Sequence, residues 1–291
     1  MAKKKDNVQS SGRTLKLVSD SNMPFNYVES FKSLRTNLKF IASARNAKSF
    51  IVTSALAMET KTNVAINLAV TLAEENKKVV LIDCDLRKPS IHRYLKINSD
   101  GKGLSSVLSG ESKLADSFVH DDELKIDILP AGTVPPNPTE LFSQERMGLI
   151  LELLKKHYDY VVLDTPPVSV VTDAAILGGM VDGALLVIRS DFAPVEMNRL
   201  AKKRLEDVNV NIFGVILSRF NPEKSRRQSG YYYSYYKRRY GRYGYRYSNK
   251  YSRYGYSYDP YGYGYGYGHS KKESEKKGLF KKKEKEEKTE D

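Results

Sequence analysis

Six short runs of Val, Ile and Leu constrain this chain more than any other feature. They are KSFIVTSA (48–55), VVLIDCD (79–85), IDILPAG (126–132), YVVLDTPPV (160–168), GALLVIRS (183–190) and IFGVILSRF (212–220). Each has the length of a strand, and the apolar residues are continuous rather than alternating. Such runs predict strands covered on both faces. Between them, apolar residues take helical spacing over 62–76, 140–157 and about 194–207. Another helix is predicted ahead of the first strand, where Tyr27, Phe31, Leu34, Leu38 and Ile41 recur every three or four residues. This repetition implies an α/β fold with a doubly wound, mostly parallel sheet.

The pattern starts near Tyr27 and stops near Asn221. Residues 1–26, polar and interrupted by Pro24, are expected to form a flexible basic arm, with the folded domain over 27–222. Residues 223–268 are tyrosine-rich and 269–291 are a mixed-charge, low-complexity end. Both are expected to be disordered, because neither has the composition to build a core. The formal net charge of +13 gathers at the two ends: 231–291 holds 16 Lys and Arg against eight Asp and Glu. Basic ends suit an anionic partner such as a membrane surface, nucleic acid or an acidic polymer, and simple solvated charge accounts for them equally well. No apolar run approaches the roughly 18 residues of a membrane span. The start, MAKKKDNVQSSGR, has no apolar segment behind its lysines and is not read as a signal peptide. One cysteine, Cys84, excludes a disulfide framework and points to a reducing, cytoplasmic setting.

In doubly wound folds, ligands bind beyond the carboxyl ends of the strands. Three clusters stand there. After the first strand, SALAMETKTN sets Lys61-Thr62 at a helix start. In a phosphate-binding loop that lysine reaches the β- and γ-phosphates, the hydroxyl holds magnesium, and the helix N-terminus supplies N–H groups. The loop departs from its pattern, with Thr60 where Gly belongs before the lysine, and a helix merely beginning Thr-Lys-Thr fits equally. After the second strand, Asp83 and Asp85 of LIDCDLRKP offer a metal ligand and a proton acceptor; the competing reading is a turn that caps the next helix. After the fourth, Asp164 of VVLDTPP offers a second magnesium carboxylate, although any buried strand can end in Asp. Taken together on one sheet edge, the three predict a nucleotide-phosphate site. His92 and His157 read as surface or packing residues, and Cys84 as a small buried strand residue.

LIDCDLRKPSIHRYL, VVLDTPPV and ESFKSLRTNLKF, together with the tyrosine-rich end, resemble the bacterial tyrosine kinases of capsular and exopolysaccharide synthesis. That family lies within a wider group of P-loop ATPases of the Min and Par type. The resemblance runs from about Tyr27 to Phe220. It implies a P-loop NTPase-type fold, ATP and Mg2+. Lys61 would be the Walker A lysine, with Ala55, Glu59, Thr60 and Asn63 beside it at the nucleotide. The family usually has Pro-Gly where Ala57 and Met58 stand. Thr62, Asp83, Asp85 and Asp164 would hold the metal, Asp83 also serving as general base.

The resemblance also implies partners. Glu29, Lys32 and Arg35 take the places of a ring-forming Glu-x-x-Arg-x-x-Arg helix, where lysine keeps the charge and loses the bidentate fork. A transmembrane adaptor of the chain-length-regulator type would bring the chain to the inner face of the cell membrane and complete the nucleotide site. Polysaccharide-synthesis enzymes would be further substrates, and no specific nucleic acid is expected. The phosphate acceptors would be Tyr231, Tyr232, Tyr233, Tyr235, Tyr236, Tyr240, Tyr243, Tyr245, Tyr247, Tyr251, Tyr254, Tyr256, Tyr258, Tyr261, Tyr263, Tyr265 and Tyr267. The leading expectation is therefore an ATP-dependent protein-tyrosine autokinase. The missing glycines leave open a pseudokinase that serves as scaffold or substrate. The fold leaves open a Min/Par-like ATPase, and the tyrosine segment alone would also suit RNA binding.

Overall fold

All six apolar runs form strands, and burial explains their continuity. In a computed structural model that describes residues 15–98 and 100–221, the elements begin with α1 (Phe25–Arg45), β1 (Ser49–Ser54), α2 (Lys61–Ala73) and β2 (Val79–Asp83). Two short helices follow, α3 (Ile91–Tyr94) and α4 (Leu104–Leu108), then β3 (Val119–Asp121) and β4 (Ile126–Leu129). The chain continues through α5 (Pro138–Phe142), α6 (Glu145–His157), β5 (Tyr160–Asp164), α7 (Asp173–Gly178), β6 (Gly183–Arg189), α8 (Val195–Glu206) and β7 (Ile212–Ser218). The strands make one sheet in the order β3-β4-β2-β5-β1-β6-β7. Every neighbouring pair is parallel except β3 with β4.

Successive residues of a strand point to opposite faces, and both faces here are covered. Phe50, Val52, Leu81 and Val162 join a core with α1 and α2. Their neighbours Ile51, Val80, Ile82, Val161 and Leu163 join a second core with α6, α7 and α8. A polar residue at either set of positions would be desolvated, so no alternation can appear in the sequence.

Several strands end earlier than their apolar runs. After Asp164 the Thr165 N–H still donates to Val52 O at 3.1 Å, but Pro166 and Pro167 have no N–H to continue the ladder. The helix expected over 140–157 is two helices, because Gln144 between them is extended (φ −75°, ψ 145°). β3 and α7 went unpredicted. The first is a three-residue edge strand of sequence VHD, and the second has six residues, too few for a helical period to register.

One expectation about the N-terminal part is corrected. Residues 15–24, assigned to a flexible arm on their polarity, lie against α2. Val18 is buried, its N–H donates to Asn67 Oδ1 at 2.7 Å, and Asn67 Nδ2 donates to Lys16 O at 2.8 Å. Buried Asn67 cannot go unpaired without cost, and the strap satisfies it. Arg35, which the resemblance places in a ring contact between copies, holds α1 to α2 within this chain. It donates to Thr71 O at 2.7 Å and to Glu74 Oε2 at 3.1 Å, covering the carbonyl end of α2. Lys32 pairs with Glu29 along its own helix at 2.9 Å. The seventeen acceptor tyrosines lie outside the described residues.

Candidate active site at the carboxyl edge of the sheet

Strand register builds this site. Asp83 ends β2 directly opposite Asp164, which ends β5, and Val52 of β1 faces Asp164 from the other side. α2 starts at Lys61, after a six-residue loop from β1, so its first turn meets both acidic strand ends. Lys61 Nζ lies 3.1 Å from Asp85 Oδ2 and 3.3 Å from Asp164 Oδ1. The Thr62 hydroxyl donates to Asp164 Oδ2 at 2.6 Å. Asp83 accepts the N–H groups of Ser90 and Ile91, both at 3.0 Å, and that of Asp85 at 3.2 Å. Lys61, Thr62, Asp83, Asp85 and Asp164, called from three separate motifs, thus form one buried cluster.

The cluster holds three carboxylates and one ammonium. Burial, and then Asp164, push the Asp83 carboxyl up to about 7. Burial also raises Asp164, against the pull of Lys61 and Thr62. Burial alone would lower the Lys61 ammonium, but Asp164 and Asp85 outweigh it and hold its pKa above the usual value. Cys84 between the two aspartates is buried, with its thiol pushed well up by burial.

The loop before α2 takes the shape of a phosphate loop without its glycines. Met58 (φ 70°) and Thr60 (φ 68°) are both left-handed, at a cost of roughly 1–2 kcal/mol each. Strain of that kind persists only where surroundings over-determine it. Here Glu59 does so. Fully buried, it accepts the Leu56 N–H on Oε2 at 2.7 Å and the Arg189 N–H on Oε1 at 3.3 Å. Arg189 Nη1 donates to Met58 O, and the Ser218 hydroxyl to Glu59 O, so the ends of β6 and β7 grip the loop.

The side chains of two residues expected at the nucleotide are engaged elsewhere. Glu59 is committed to the architecture of the loop. The Asn63 side chain turns to the N-terminal strap, accepting from Tyr27 Oη at 3.2 Å and donating to Lys16 O at 3.4 Å. Ala55 and Thr60 stay in the loop itself, Ala55 fully buried.

Sequence reasoning missed three contributors. Ser90 places its hydroxyl 3.3 Å from Thr62 Oγ1. Arg87 of the LRKP stretch makes a two-pronged contact with buried Asp173 at 2.8 and 3.1 Å and also reaches Thr139. Arg189 acts 131 residues away from Met58. LRKP was a visible signal for Arg87; Arg189 had none.

Among the described residues no group of three or more His, Cys, Asp or Glu is arranged to hold a metal by itself. Magnesium takes one or two protein oxygens and completes its shell with water and substrate phosphates. Thr62 and Asp164 are the pair that would hold it. The positive-φ loop and the start of α2 would turn N–H groups towards an anion. The residues present fit a magnesium–nucleotide.

Comparison with known proteins agrees. A model of the AAA domain family matches residues 59–208. The chain is 38% identical over 205 residues to the tyrosine-protein kinase YwqD of Bacillus subtilis, covering 70% of this chain and 85% of that one. It is 36% identical over 214 residues to the tyrosine-protein kinase wzc of Salmonella typhi, covering 73% of this chain but only 29% of that longer protein. The solved kinase domain of the Escherichia coli tyrosine kinase ETK superposes with a TM-score of 0.63 at 35% identity, over 67% of this chain and 77% of that one. With the acidic strand ends and the lysine-threonine helix start in one cluster, this likeness places the chain in the bacterial tyrosine-protein kinase family.

Proposed function

We propose that the chain is an ATP-dependent kinase that phosphorylates tyrosines of its own C-terminal segment, with a membrane adaptor, in the control of capsular or exopolysaccharide production. The observation that carries this reading is the cluster around Asp83: a buried carboxylate held by three backbone N–H groups, beside Lys61, Thr62 and Asp164. A general base works best when its pKa lies near the working pH.

In the proposed reaction the phenolic oxygen attacks the γ-phosphorus of ATP. The new O–P bond forms as the bond to the ADP oxygen breaks, and the phenol proton passes to Asp83. The three backbone N–H groups on Asp83 fix its orientation. Lys61 would move from its carboxylate partners to the phosphates, which carry more charge. Bound magnesium supplies neutralisation of the charge developing on the phosphate oxygens.

The adaptor reading draws support from the surface around the site. Met58, Val170, Phe192 and Phe220, which follow β1, β5, β6 and β7, are all exposed. Each follows a strand end on the edge that holds the site.

The strained loop favours one second reading, a pseudokinase that binds nucleotide poorly. Titration calorimetry with Mg–ATP separates the two, followed by transfer of labelled phosphate. The kinase reading expects binding that Lys61→Met abolishes and label on tyrosine. Binding without transfer, or none with the adaptor's cytosolic segment present, supports the pseudokinase.

A further inference from the structure

The two outer strands of the sheet are built differently. At one side, β3 has three residues of sequence VHD, and His120 is tied to Asp122 and Asp127. Short, charged outer strands are how proteins keep a sheet from pairing with a second chain. At the other side, β7 has seven residues, Ile212–Ser218, with no charge and no proline. Among the described residues β7 pairs with β6 alone.

The open side of β7 offers both backbone groups and apolar side chains. The Ser190 N–H donates to Ser218 O at 3.0 Å, and Arg189 stands level with Ser218. In a parallel ladder alternate residues bond to a given neighbour. Gly214, Ile216 and Ser218 therefore turn their N–H and C=O groups to β6, and Val215 and Leu217 turn theirs outward. The one shift of register falls earlier, between Ala184 and Leu185, so this stretch is regular. Val215 and Leu217 lie level with Leu186 and Ile188 on the face of the second core, yet they are 59% and 51% exposed. On the opposite face, a Cβ at Gly214 would meet nothing within 4 Å. Both faces beside the open strand have room for a neighbour.

We propose that β7 is an interface between two copies of the chain, pairing antiparallel with the same strand of a second copy about a two-fold axis at Ile216. The strand's self-complementarity selects this occupant. Without charge, it meets no like charge in its own copy. The register centred on Ile216 sets Val215 against the partner's Leu217, and Leu217 against the partner's Val215. Each such pair meets through outward backbone groups, so the two pairs form four hydrogen bonds and bring four exposed apolar side chains side by side. The contact is isologous. Five residues a side fall short of the roughly 1,200 Å² that stable interfaces bury, so a reversible dimer at micromolar concentrations is expected. Antiparallel pairing points the two carboxyl edges in opposite directions. Both clusters around Asp83 stay open, and the inference is independent of the chemistry proposed for them.

The test uses the full chain carrying Ile216→Cys. On the axis the two residues would form a non-hydrogen-bonded pair with Cα atoms about 4.5 Å apart, inside the roughly 4.4–6.8 Å that a disulfide spans. Native Cys84 is fully buried and does not compete. The control is Leu149→Cys on α6, 63% exposed. Ile216 is only partly exposed, so random collision would favour the control. Under mild oxidation, Ile216→Cys is expected to give about tenfold more disulfide-linked dimer than the control on non-reducing gels. Adding Val215→Lys and Leu217→Lys sets lysine against lysine and should remove that excess. A second measurement does not depend on the cysteine variant: in sedimentation equilibrium the native chain should dimerise reversibly, and the two lysine substitutions at exposed positions should weaken the dimer about tenfold or more. Yields no higher than the control, association indifferent to the lysines, or a native chain that stays monomeric would each overturn the proposal. Slow amide exchange at Val215 and Leu217 in the dilute monomer would show another segment already covering the strand, and would overturn it too.

Discussion

The two ends of β1 treat carboxylates in opposite ways, Asp182 being half-buried and Asp83 and Asp164 buried. At its amino end, Asp182 accepts the N–H groups of Lys48 and Ser49, both at 2.8 Å, and the Ser49 hydroxyl at 2.9 Å. Burial pushes its pKa up, but those three donors outweigh it and hold the carboxyl below its usual value. At the carboxyl end, Asp83, Asp85 and Asp164 share one lysine, and burial raises both Asp83 and Asp164. The loop between β1 and α2 adds two strained residues there. One edge uses acid to stabilise the sheet. The other holds acid and strain in reserve for chemistry, as functional sites commonly do at the expense of stability.

That contrast is most sharply tested at Asp83. Asp83→Asn should lower transfer to tyrosine by about a thousandfold, the scale of a lost general base. It relieves one of three crowded carboxylates but turns an amide NH2 towards a backbone donor, two effects that oppose each other, so the melting temperature should change little. A variant that loses both activity and stability would make Asp83 a structural residue like Asp182.

At the other end the signs reverse. Asp182→Ala leaves the Lys48 and Ser49 N–H groups unanswered and should cost about 2–3 kcal/mol in denaturant unfolding, with transfer per folded molecule unchanged. The Asp182 contribution is fully present above pH about 4, the unfolded carboxyl value. It is lost as pH falls through the lower folded pKa. Asp182→Asn should therefore flatten the acid limb of the stability profile. An unaltered acid limb would break the comparison.

A smaller effect is expected in the loop. Thr60→Gly and Met58→Gly remove roughly 1–2 kcal/mol of left-handed strain each. If nucleotide binding requires this loop shape to be held more tightly, the pair should improve ATP affinity by about tenfold in calorimetry. Glu59→Ala should lower affinity, and Glu59→Gln, which keeps an acceptor for the Leu56 N–H, should restore most of it. Equal affinities across the series would mean that the loop does not limit binding.

What the sequence disclosed follows the same division. Strands dry on both faces had to be continuous apolar runs, so the sheet and its acidic ends were legible, and Lys61, Thr62, Asp83, Asp85 and Asp164 with them. Residues whose roles depend on distant partners were not. Glu59 meets Arg189 across 130 residues and Ser49 meets Asp182 across 133, separations that no local pattern encodes. Arg35 shows the converse. Its spacing matched a ring motif, and within the chain its guanidinium covers the end of α2, a contact that the motif does not encode. β3 was missed because pairing on one side only leaves a polar VHD sequence free to be a strand.

The central claim, that the carboxyl edge is built for phosphoryl transfer to tyrosine, is tested most directly by mapping phosphate. The full chain would be incubated with Mg–ATP, with and without an adaptor's cytosolic segment, and analysed by mass spectrometry. The account predicts phosphotyrosine within residues 231–267, little on Tyr27, Tyr94, Tyr158 or Tyr160, and none when Asp83→Asn replaces the native chain. Unmodified tyrosines in the native chain under both conditions, or equal labelling of the Asp83→Asn protein, would contradict it.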